Sequence, residues 1–238
     1  MQIIKDNIQL SFEQFSGLFP KEANILTDKD YQNTKLQIDG PRIKLIYKEF
    51  APIFINIDSE LERHKVFFYK NSPYKELLAK ALGIKAQRKN ISILDATGGF
   101  LGDSLLIYAI GVDSLAIYER NPIAAMLIFN AIENSSVDLD FIYHDSMKEF
   151  TKSFDVIYYD PMYSDKNEKT APKKEMSFFR EMIGTDSDAE ECAHLLFEKA
   201  KSRLVIKRPI KAGPLIDKVS MSFKGKSTRY DVYLKIEN

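Results

Sequence analysis

The spacing of apolar and polar positions changes along the chain and divides it into two regions. Leu36–Ile38 and Ile43–Tyr47 are short alternating runs on either side of residues 39–41, an Asp-Gly-Pro segment typical of a hairpin turn. Ala51–Ile57 predicts a third strand by its run of apolar residues. We therefore expect a small β-rich accessory region over residues 1–60.

From residue 72 onward, strand and helix patterns alternate. Ser72 is the expected N-cap of the first helix, with Pro73 at its first position and Gly83 at its end. The predicted elements are helix Tyr74–Leu82, strand Ile91–Leu94, helix Gly102–Ile110, strand Ser114–Tyr118, a helix from Asn121-Pro122 to Ile132, strands Asp140–Tyr143 and Phe154–Tyr159, a helix near Ala189–Lys201, and strands Leu204–Lys207, Val219–Phe223 and Tyr230–Ile236. This order predicts one α/β domain over residues 61–238, with a mostly parallel, doubly wound sheet and an antiparallel edge hairpin.

Composition places the chain among cytoplasmic proteins. Its 238 residues are 45% hydrophobic, which suffices for one sizeable core. A single cysteine, Cys192, excludes an internal disulfide framework. The chain has neither an N-terminal signal pattern nor an apolar run of membrane-spanning length. We therefore expect a cytoplasmic protein with no membrane contact.

The formal net charge is zero, but the charges are segregated along the chain. Residues 61–90 carry a net charge of +6, residues 181–198 carry −6, and residues 199–229 carry +9. Solvated helix faces that happen to segregate would give this pattern. A basic surface for a polyanion would give it as well. Charge alone leaves both interpretations open.

A glycine-rich segment, Asp95–Gly102 (DATGGFLG), follows one predicted strand and opens a helix. Gly98, Gly99 and Gly102 would let the backbone turn sharply beside a ligand, although such segments also occur as plain structural turns. Glu119 ends the next strand, 24 residues after Asp95, where an acid can accept hydrogen bonds from both hydroxyls of a ribose. A salt bridge between Glu119 and Arg120 is the structural alternative. The combination fits NAD or S-adenosyl-L-methionine (SAM).

Two further strand ends favour SAM. Asp145-Ser146 could hold an adenine amino group or could cap a helix. Residues 160–163, Asp-Pro-Met-Tyr, end the fourth strand and could instead initiate a turn. The lone pair of a base amine is delocalised, so methylation requires acceptors for the amine hydrogens and for the developing positive charge. Asp160 and the Pro161 carbonyl would supply these acceptors, and Tyr163 would supply a stacking ring. These features indicate a class I SAM-dependent amino-methyltransferase.

Seven motifs in one order carry a resemblance to a known family. They are DATGG with GD (95–103), YERNP (118–122), Asp145-Ser146, YYDPMY (158–163), KKEM (173–176), VIKRP (205–209) and RYDVY (229–233). Together they resemble the bacterial small-subunit ribosomal RNA guanine-N2 methyltransferases of the RsmJ type, over about residues 60–236. The resemblance implies a Rossmann-like fold and methyl transfer from SAM to a guanine N2 of 16S ribosomal RNA, free or in the 30S subunit.

The resemblance also assigns roles to residues of this chain. Gly102-Asp103 would line the SAM loop, Glu119-Arg120 would meet the ribose, and Asp145-Ser146 would meet the adenine. Asp160 would lie between methyl donor and base. The full expected cofactor set is Asp95, Gly98, Gly99, Gly102, Asp103, Glu119, Arg120, Asp145, Ser146 and Asp160, and the catalytic set is Asp160, Pro161 and Tyr163.

Two departures from the family pattern concern the SAM loop and residues 63–71. The family's loop usually continues Gly-x-Gly-Arg-Asp, whereas this chain has Gly99-Phe-Leu-Gly102-Asp103, which displaces a glycine and lacks the arginine. The family tends to place glycines after a His/Arg pair. Here Arg63-His64-Lys65 leads into Val66–Asn71.

Basic residues beyond residue 163 are candidates for RNA phosphates or for ordinary solvated positions. The candidates are Lys173, Lys174, Lys207, Arg208 and Arg229. The three histidines show no metal-binding spacing, so we expect no metal. Three other functions stay open: a DNA or protein amino-methyltransferase, an NAD-dependent oxidoreductase, and a non-catalytic RNA-binding ribosome assembly factor.

Overall fold

A computed structural model describes residues 2–6, 8–10, 12–26, 35–46, 51–87, 90–146, 148, 152–162 and 186–235. These residues form two sheets and the helices packed around them. The smaller sheet contains β1 (Gln2–Lys5), β2 (Ile8–Leu10), β3 (Lys35–Asp39) and β4 (Arg42–Ile46), in the order β2-β1-β3-β4. Helices α1 (Phe12–Leu18) and α2 (Pro20–Ala23) lie between β2 and β3 in the chain.

The predicted hairpin in this N-terminal region is confirmed. β3 and β4 pair antiparallel, with Leu36 opposite Leu45 and Asp39 opposite Arg42. Gly40 takes a left-handed φ of 57° at the turn, a conformation that glycine adopts without steric cost. The side chains of Leu36 and Leu45 are fully buried, so one face of the sheet supplies a hydrophobic core.

The third strand predicted at Ala51–Ile57 is wrong. Only Ile53 makes a β-bridge there, with Leu45, and Ile57 begins helix α3 (Ile57–Lys70). Asn56 caps this helix, since its side chain accepts a hydrogen bond of 3.1 Å from the Ser59 amide. The cap and the acidic first turn outweigh the apolar run that suggested a strand.

The larger sheet has seven strands in the order β10-β11-β9-β8-β5-β6-β7. Its strands are β5 (Ser92–Asp95), β6 (Ser114–Glu119), β7 (Asp140–Tyr143), β8 (Phe154–Tyr159), β9 (Ala200–Pro209), β10 (Met221–Lys224) and β11 (Thr228–Leu234). The pairs among β5 to β9 are parallel, whereas β11 is antiparallel to both β9 and β10. The predicted parallel sheet with a closing hairpin is confirmed.

Helices cover both faces of this sheet, as a doubly wound fold requires. The remaining helices are α4 (Leu77–Leu82), α5 (Gly102–Ile110), α6 (Pro122–Glu133) and α7 (Ala189–Lys199). Side chains of β8 alternate between the two faces. Ile157 packs in a cluster with Leu196 of α7, and Tyr158 packs in another with Leu78 of α4 and Ile107 of α5. The predicted Rossmann-like α/β fold is confirmed.

The helix predicted at Tyr74–Leu82 is shorter than expected. Pro73–Lys75 forms a single 3₁₀ turn, and Glu76 is extended, with φ −57° and ψ 139°. Ser72 makes no side-chain capping bond. Gly83 ends the helix in the left-handed conformation, as the sequence predicts.

The N-terminal sheet packs against helix α6 of the larger unit. Met126 and Leu127 of α6 share a hydrophobic cluster with residues of β3 and β4. Asn130, also on α6, accepts a buried hydrogen bond of 2.8 Å from the Ile43 amide. Helix α3 spans the predicted boundary at residue 60, and that domain division stays a prediction. Among the described helices, none is long and apolar enough to cross a membrane.

Candidate active site at the carboxyl edge of the sheet

A cavity of about 1060 Å³ opens where β5, β6, β8 and β9 end. Doubly wound folds bind ligands at this edge, beside the strand at which the strand order reverses. In this sheet that strand is β5, which lies between β6 and β8. Residues 53–56 and the first half of α3 close another side of the cavity.

The turn after β5 brings backbone close to the cavity. The Gly98 amide donates a 2.7 Å hydrogen bond to the Tyr118 carbonyl, so the turn lies directly against β6. A Cβ on Gly98 would lie 2.9 Å from the Ile117 side chain and 3.3 Å from that carbonyl. Gly99 and Leu101 take left-handed φ values of 55° and 66°. Leu101 therefore holds a conformation that glycine adopts more easily. It stands at the position where the family pattern has its second glycine.

Glu119 stands at the end of β6 and organises this turn. Its two carboxylate oxygens each accept a 2.6 Å hydrogen bond, one from the Gly99 amide and one from the Asn121 amide. Burial raises the pKa of Glu119 to about 7, although both amide bonds favour the charged form. The Glu119 side chain also lines the cavity, and a carboxylate has about four acceptor sites in all. The salt bridge to Arg120 considered from the sequence is not among the ion pairs of the described residues.

Asp95 is more deeply buried than Glu119, at 1% exposure. Its carboxylate accepts hydrogen bonds from the Ser104 hydroxyl and from the Thr97 amide, and so joins the glycine turn to α5. Burial raises the pKa of Asp95 to about 7. Thr97 in turn accepts a 2.7 Å hydrogen bond from the Asp160 amide at its hydroxyl. This threonine couples the ends of β5 and β8.

Asp160 follows β8 and faces the cavity beside Lys207 of β9. The Lys207 ammonium donates hydrogen bonds of 2.7 Å to Asp160 Oδ2 and to Asp103 Oδ2. The Tyr158 hydroxyl also donates to Asp103, at 2.6 Å. Burial and the nearby Asp103 carboxylate raise the pKa of Asp160, and Lys207 opposes them. Burial lowers the pKa of Lys207, but the two carboxylates together outweigh it and raise the pKa, so the ammonium stays charged.

Arg120 connects three strand ends with the start of α7. Its guanidinium bonds to Asp188 at 2.6 Å and to Asp186, and it lies 3.7 Å from Asp145. Asp186 also accepts a 2.7 Å hydrogen bond from the Met162 amide. The chain after β8 is thereby fixed against the arginine that follows β6.

Other predicted site residues have structural contacts in addition to their position at the cavity. Ser146 is 7% exposed and donates a 2.8 Å hydrogen bond to the Ala96 carbonyl. Gly102 and Asp103 form the first turn of α5, and both line the cavity. Pro161 lines it as well.

The predicted RNA-contacting residues fall into separate environments. Lys207 lies inside the cavity, and Arg208 lines it while donating a 3.0 Å hydrogen bond to the Gly213 carbonyl. Arg229 is 9% exposed, and its guanidinium bonds to Asp231 and to two carbonyls. This placement disfavours a phosphate contact for Arg229. Tyr163, Lys173 and Lys174 lie outside the described residues.

Sequence reasoning missed several contributors to the site. Thr97 lies within the Asp95–Gly102 segment, but the sequence pattern assigned it no role. Arg63 lines the cavity from α3, a helix that the sequence pattern did not predict. Asp186 and Asp188, which bond to Arg120, belong to the acidic segment 181–198. The negative charge of that segment was the signal that could have identified them. Among the described residues, no group of three or more His, Cys, Asp or Glu side chains could hold a metal ion.

Comparison with known proteins gives a consistent picture. A family model described as "Putative SAM-dependent methyltransferase" matches residues 21–235. A curated protein named Ribosomal RNA small subunit methyltransferase J, from Coxiella burnetii, is 34% identical over 195 residues, which cover 77% of this chain and 75% of the relative. The protein of the same name from Colwellia psychrerythraea is 36% identical over 170 residues, covering 66% and 62%.

A solved structure is similar over nearly the whole chain. It is the crystal structure of the SAM-dependent methyltransferase NGO1261 from Neisseria gonorrhoeae, with a TM-score of 0.64. The alignment covers 98% of this chain and 95% of that one, at 20% sequence identity. At this identity the likeness concerns the fold.

Proposed function

The chain belongs to the SAM-dependent methyltransferase family that includes the bacterial ribosomal RNA small subunit methyltransferases J, and from this membership we propose that it methylates the exocyclic N2 of a guanine in 16S ribosomal RNA. SAM is the methyl donor of the family. The proposal places the reaction in the cytoplasm, on free RNA or on the 30S subunit. Relatives of this name are identical to the chain at about a third of the aligned positions, which supports the substrate class.

One observation carries the chemistry. A carboxylate, Asp160, lies at the carboxyl end of β8 in the same cavity as the glycine turn, with its Oδ2 bonded to Lys207. Among the described side chains, Lys207 donates to Oδ2 of this carboxylate and none donates to Oδ1, which can accept a hydrogen bond. An NAD-dependent oxidoreductase would not require an acceptor at this position.

The residues at the cavity fit SAM by their chemistry. Glu119 offers acceptor sites to ribose hydroxyls beside the glycine turn. The first-turn amides of α5, at Gly102 and Asp103, lack intrahelical acceptors and suit a carboxylate, and Leu101 supplies no capping side chain. When bound, SAM supplies a methyl group that its sulfonium already makes electrophilic.

The protein's contribution is alignment and charge stabilisation. Asp160 and the Pro161 carbonyl accept the amine hydrogens, which orients the nitrogen lone pair toward the methyl donor. Positive charge develops on the nitrogen as the N–C bond forms, and the Asp160 carboxylate stabilises that charge. The amine proton then leaves to water or to Asp160. Lys207 favours the ionised form of Asp160 and fixes the orientation of its carboxylate.

Radiolabelled methyl transfer tests this proposal. Purified protein with labelled SAM is expected to label 16S RNA from cells that lack the gene, and mass spectrometry should detect N2-methylguanine. Asp160→Asn should lower kcat by about 10²- to 10³-fold while SAM affinity stays close to wild type. Asp113→Asn makes the same chemical change at an exposed position before β6 that does not line the cavity, and it is the matched control.

The same assay separates the alternatives. Label in DNA or in protein instead of RNA would identify a different amino-methyltransferase. RNA binding without any transfer would favour an assembly factor. Binding of NADH but not SAM in calorimetry would favour an oxidoreductase.

A further inference from the structure

The second half of helix α3 exposes large apolar side chains. Tyr69 is 90% exposed, Val66 62% and Phe67 48%. On the opposite side, Phe68 packs against the core cluster that contains Leu78, so the helix is anchored there. Exposed aromatic rings on an anchored helix indicate a surface for a partner rather than a poorly packed core.

Helical spacing joins Phe67 and Lys70 in this exposed region to the cavity, whereas Tyr69 lies about 120° around the helix from Arg63, next to Val66. Ser59, Glu60 and Arg63 of α3 line the cavity. Phe67 and Lys70 follow Arg63 by four and seven positions, which places them on the same helix face. At 1.5 Å per residue, Lys70 lies about 10 Å along the helix from Arg63, roughly the rise of three stacked nucleotides.

The turn between β10 and β11 lies beside the same cavity. Ser227 and Thr228 line it, and the neighbouring Lys224 and Lys226 are exposed. Phe68 of α3 and Phe223 of β10 both pack against the hydrophobic cluster that contains Leu78. Arg63 of α3 and Thr228 of the hairpin both line the cavity, so the two elements border it.

Charge is predominantly positive over residues 62–76 and in the β10–β11 turn. Five exposed lysines there stand against two glutamates, Glu62 and Glu76, and these lysines lie outside the cavity lining. The lysines are Lys65, Lys70, Lys75, Lys224 and Lys226. None of the five has an ion pair with a described carboxylate. Their charge is available to an anionic ligand.

We propose that Phe67, Tyr69, Lys70, Lys224 and Lys226, hereafter the α3 surface, bind single-stranded RNA that flanks the target base. Aromatic rings stack on unpaired bases, and lysines contact phosphates, so this combination suits a single strand better than a duplex. The inference rests on the proposed function and deepens it by naming where the RNA lies and which strand form it takes.

Binding of two RNA probes tests the proposal. The probes are a mixed-sequence single-stranded 12-mer and the duplex of the same sequence, followed by fluorescence anisotropy. Tyr69→Ala is expected to raise the Kd for the single strand about tenfold, because stacking on one base is lost, and to leave duplex binding nearly unchanged. Lys70→Gln should weaken both probes and reduce the salt slope of single-strand binding by about 0.7.

Matched controls come from the opposite edge of the sheet. Tyr108 is an exposed tyrosine near the end of α5 that lies away from the cavity, and Tyr108→Ala should leave both affinities unchanged. Lys201 is exposed at the start of β9, and Lys201→Gln is the matched control for Lys70→Gln. Melting curves establish that each variant is folded.

Three results would overturn the inference. The first is a Tyr69→Ala affinity for the single strand within twofold of wild type. The second is an equal loss of single-strand affinity in Tyr108→Ala. The third is a change of oligomeric mass in Tyr69→Ala with RNA affinity preserved, which would identify the surface as a contact between protein chains.

Failure of this inference is distinguishable from failure of the proposed function. If wild-type protein does not methylate 16S RNA, the proposed function is wrong. If wild-type protein methylates it and Tyr69→Ala has the wild-type KM for that RNA, only the α3 surface is wrong. The expected result is a KM raised about tenfold for Tyr69→Ala, with the Kd for SAM unchanged.

Discussion

Removal of the Lys207 ammonium is the sharpest test of how the site is held. The side chain bonds to Asp160 and Asp103 at 2.7 Å each, and Lys207 and Asp160 are 28% and 32% exposed. Lys207→Met keeps the side chain's length and apolar stem but deletes the charge. It leaves two carboxylates facing each other without the cation between them.

The magnitude follows from the geometry. At about 4 Å and an effective dielectric constant of about 20, two unit charges interact by about 4 kcal/mol. Solvent reaches roughly a third of these side chains and screens the pair, so the net interaction is a fraction of this figure. Its loss removes a contribution that lowers the pKa of Asp160, so the pKa rises in the variant.

The assay is the pH profile of kcat/KM for 16S RNA. Because the reaction requires ionised Asp160, the acidic limb of the profile should move to higher pH in Lys207→Met. The loss of activity relative to wild type should be largest at low pH and should shrink as pH rises. Lys207→Arg, which keeps the positive charge, should retain the wild-type limb. A uniform loss at every pH, with the midpoint unchanged, would refute this reasoning.

Stability gives an independent check with a defined sign. In the variant, the folded-state pKa of Asp160 lies further above its ordinary value of 3.8 than in the wild type. The native state then binds more protons than the unfolded state between the two pKa values, so stability falls as pH rises through that window. The melting temperature of Lys207→Met should therefore fall further below wild type at pH 8 than at pH 4.5.

Three further substitutions test other parts of the site and fold. The pKa of Glu119 near 7 predicts that affinity for S-adenosylhomocysteine rises with pH up to about 7 and then levels, and calorimetry of Glu119→Gln should show weaker and less pH-dependent binding. Gly98→Ala would place a Cβ 3.3 Å from the Tyr118 carbonyl and should cost about 1–3 kcal/mol, so an unchanged melting temperature would contradict the close approach. Asn130→Leu leaves the buried Ile43 amide without its acceptor and should lower the free energy of unfolding in urea by about 1–3 kcal/mol, whereas a neutral effect would argue against this link between the sheets.

Local signals in the sequence were sufficient for many elements of the larger unit. Asp140–Tyr143, Phe154–Tyr159 and Gly102–Ile110 have the predicted bounds. The Asn121 cap is also confirmed, since its side chain accepts hydrogen bonds from the Ile123 and Ala124 amides. Strand runs, caps and terminating glycines depend on neighbours within a few positions, so they are visible in the chain itself.

Local reasoning was weaker where two short-range signals competed. Ala51–Ile57 reads as a strand by its apolar residues, but the Asn56 cap starts a helix within that run. The i, i+2 spacing of Arg229 and Asp231 was available as a signal that the two side chains share a face of β11 and pair there. The RNA contact predicted for Arg229 depended on its charge alone, without this pairing.

Other features required tertiary structure because they join distant parts of the chain. Lys207 lies beside Asp160, 47 positions away, only because β9 pairs with β8 in a particular register. Arg120 reaches Asp186 across 66 positions, at the start of α7. The sequence by itself determined which residues could carry charge, turn sharply or end a strand. Only strand pairing and helix packing decided which of them meet at one cavity, because those contacts depend on the arrangement of the whole chain.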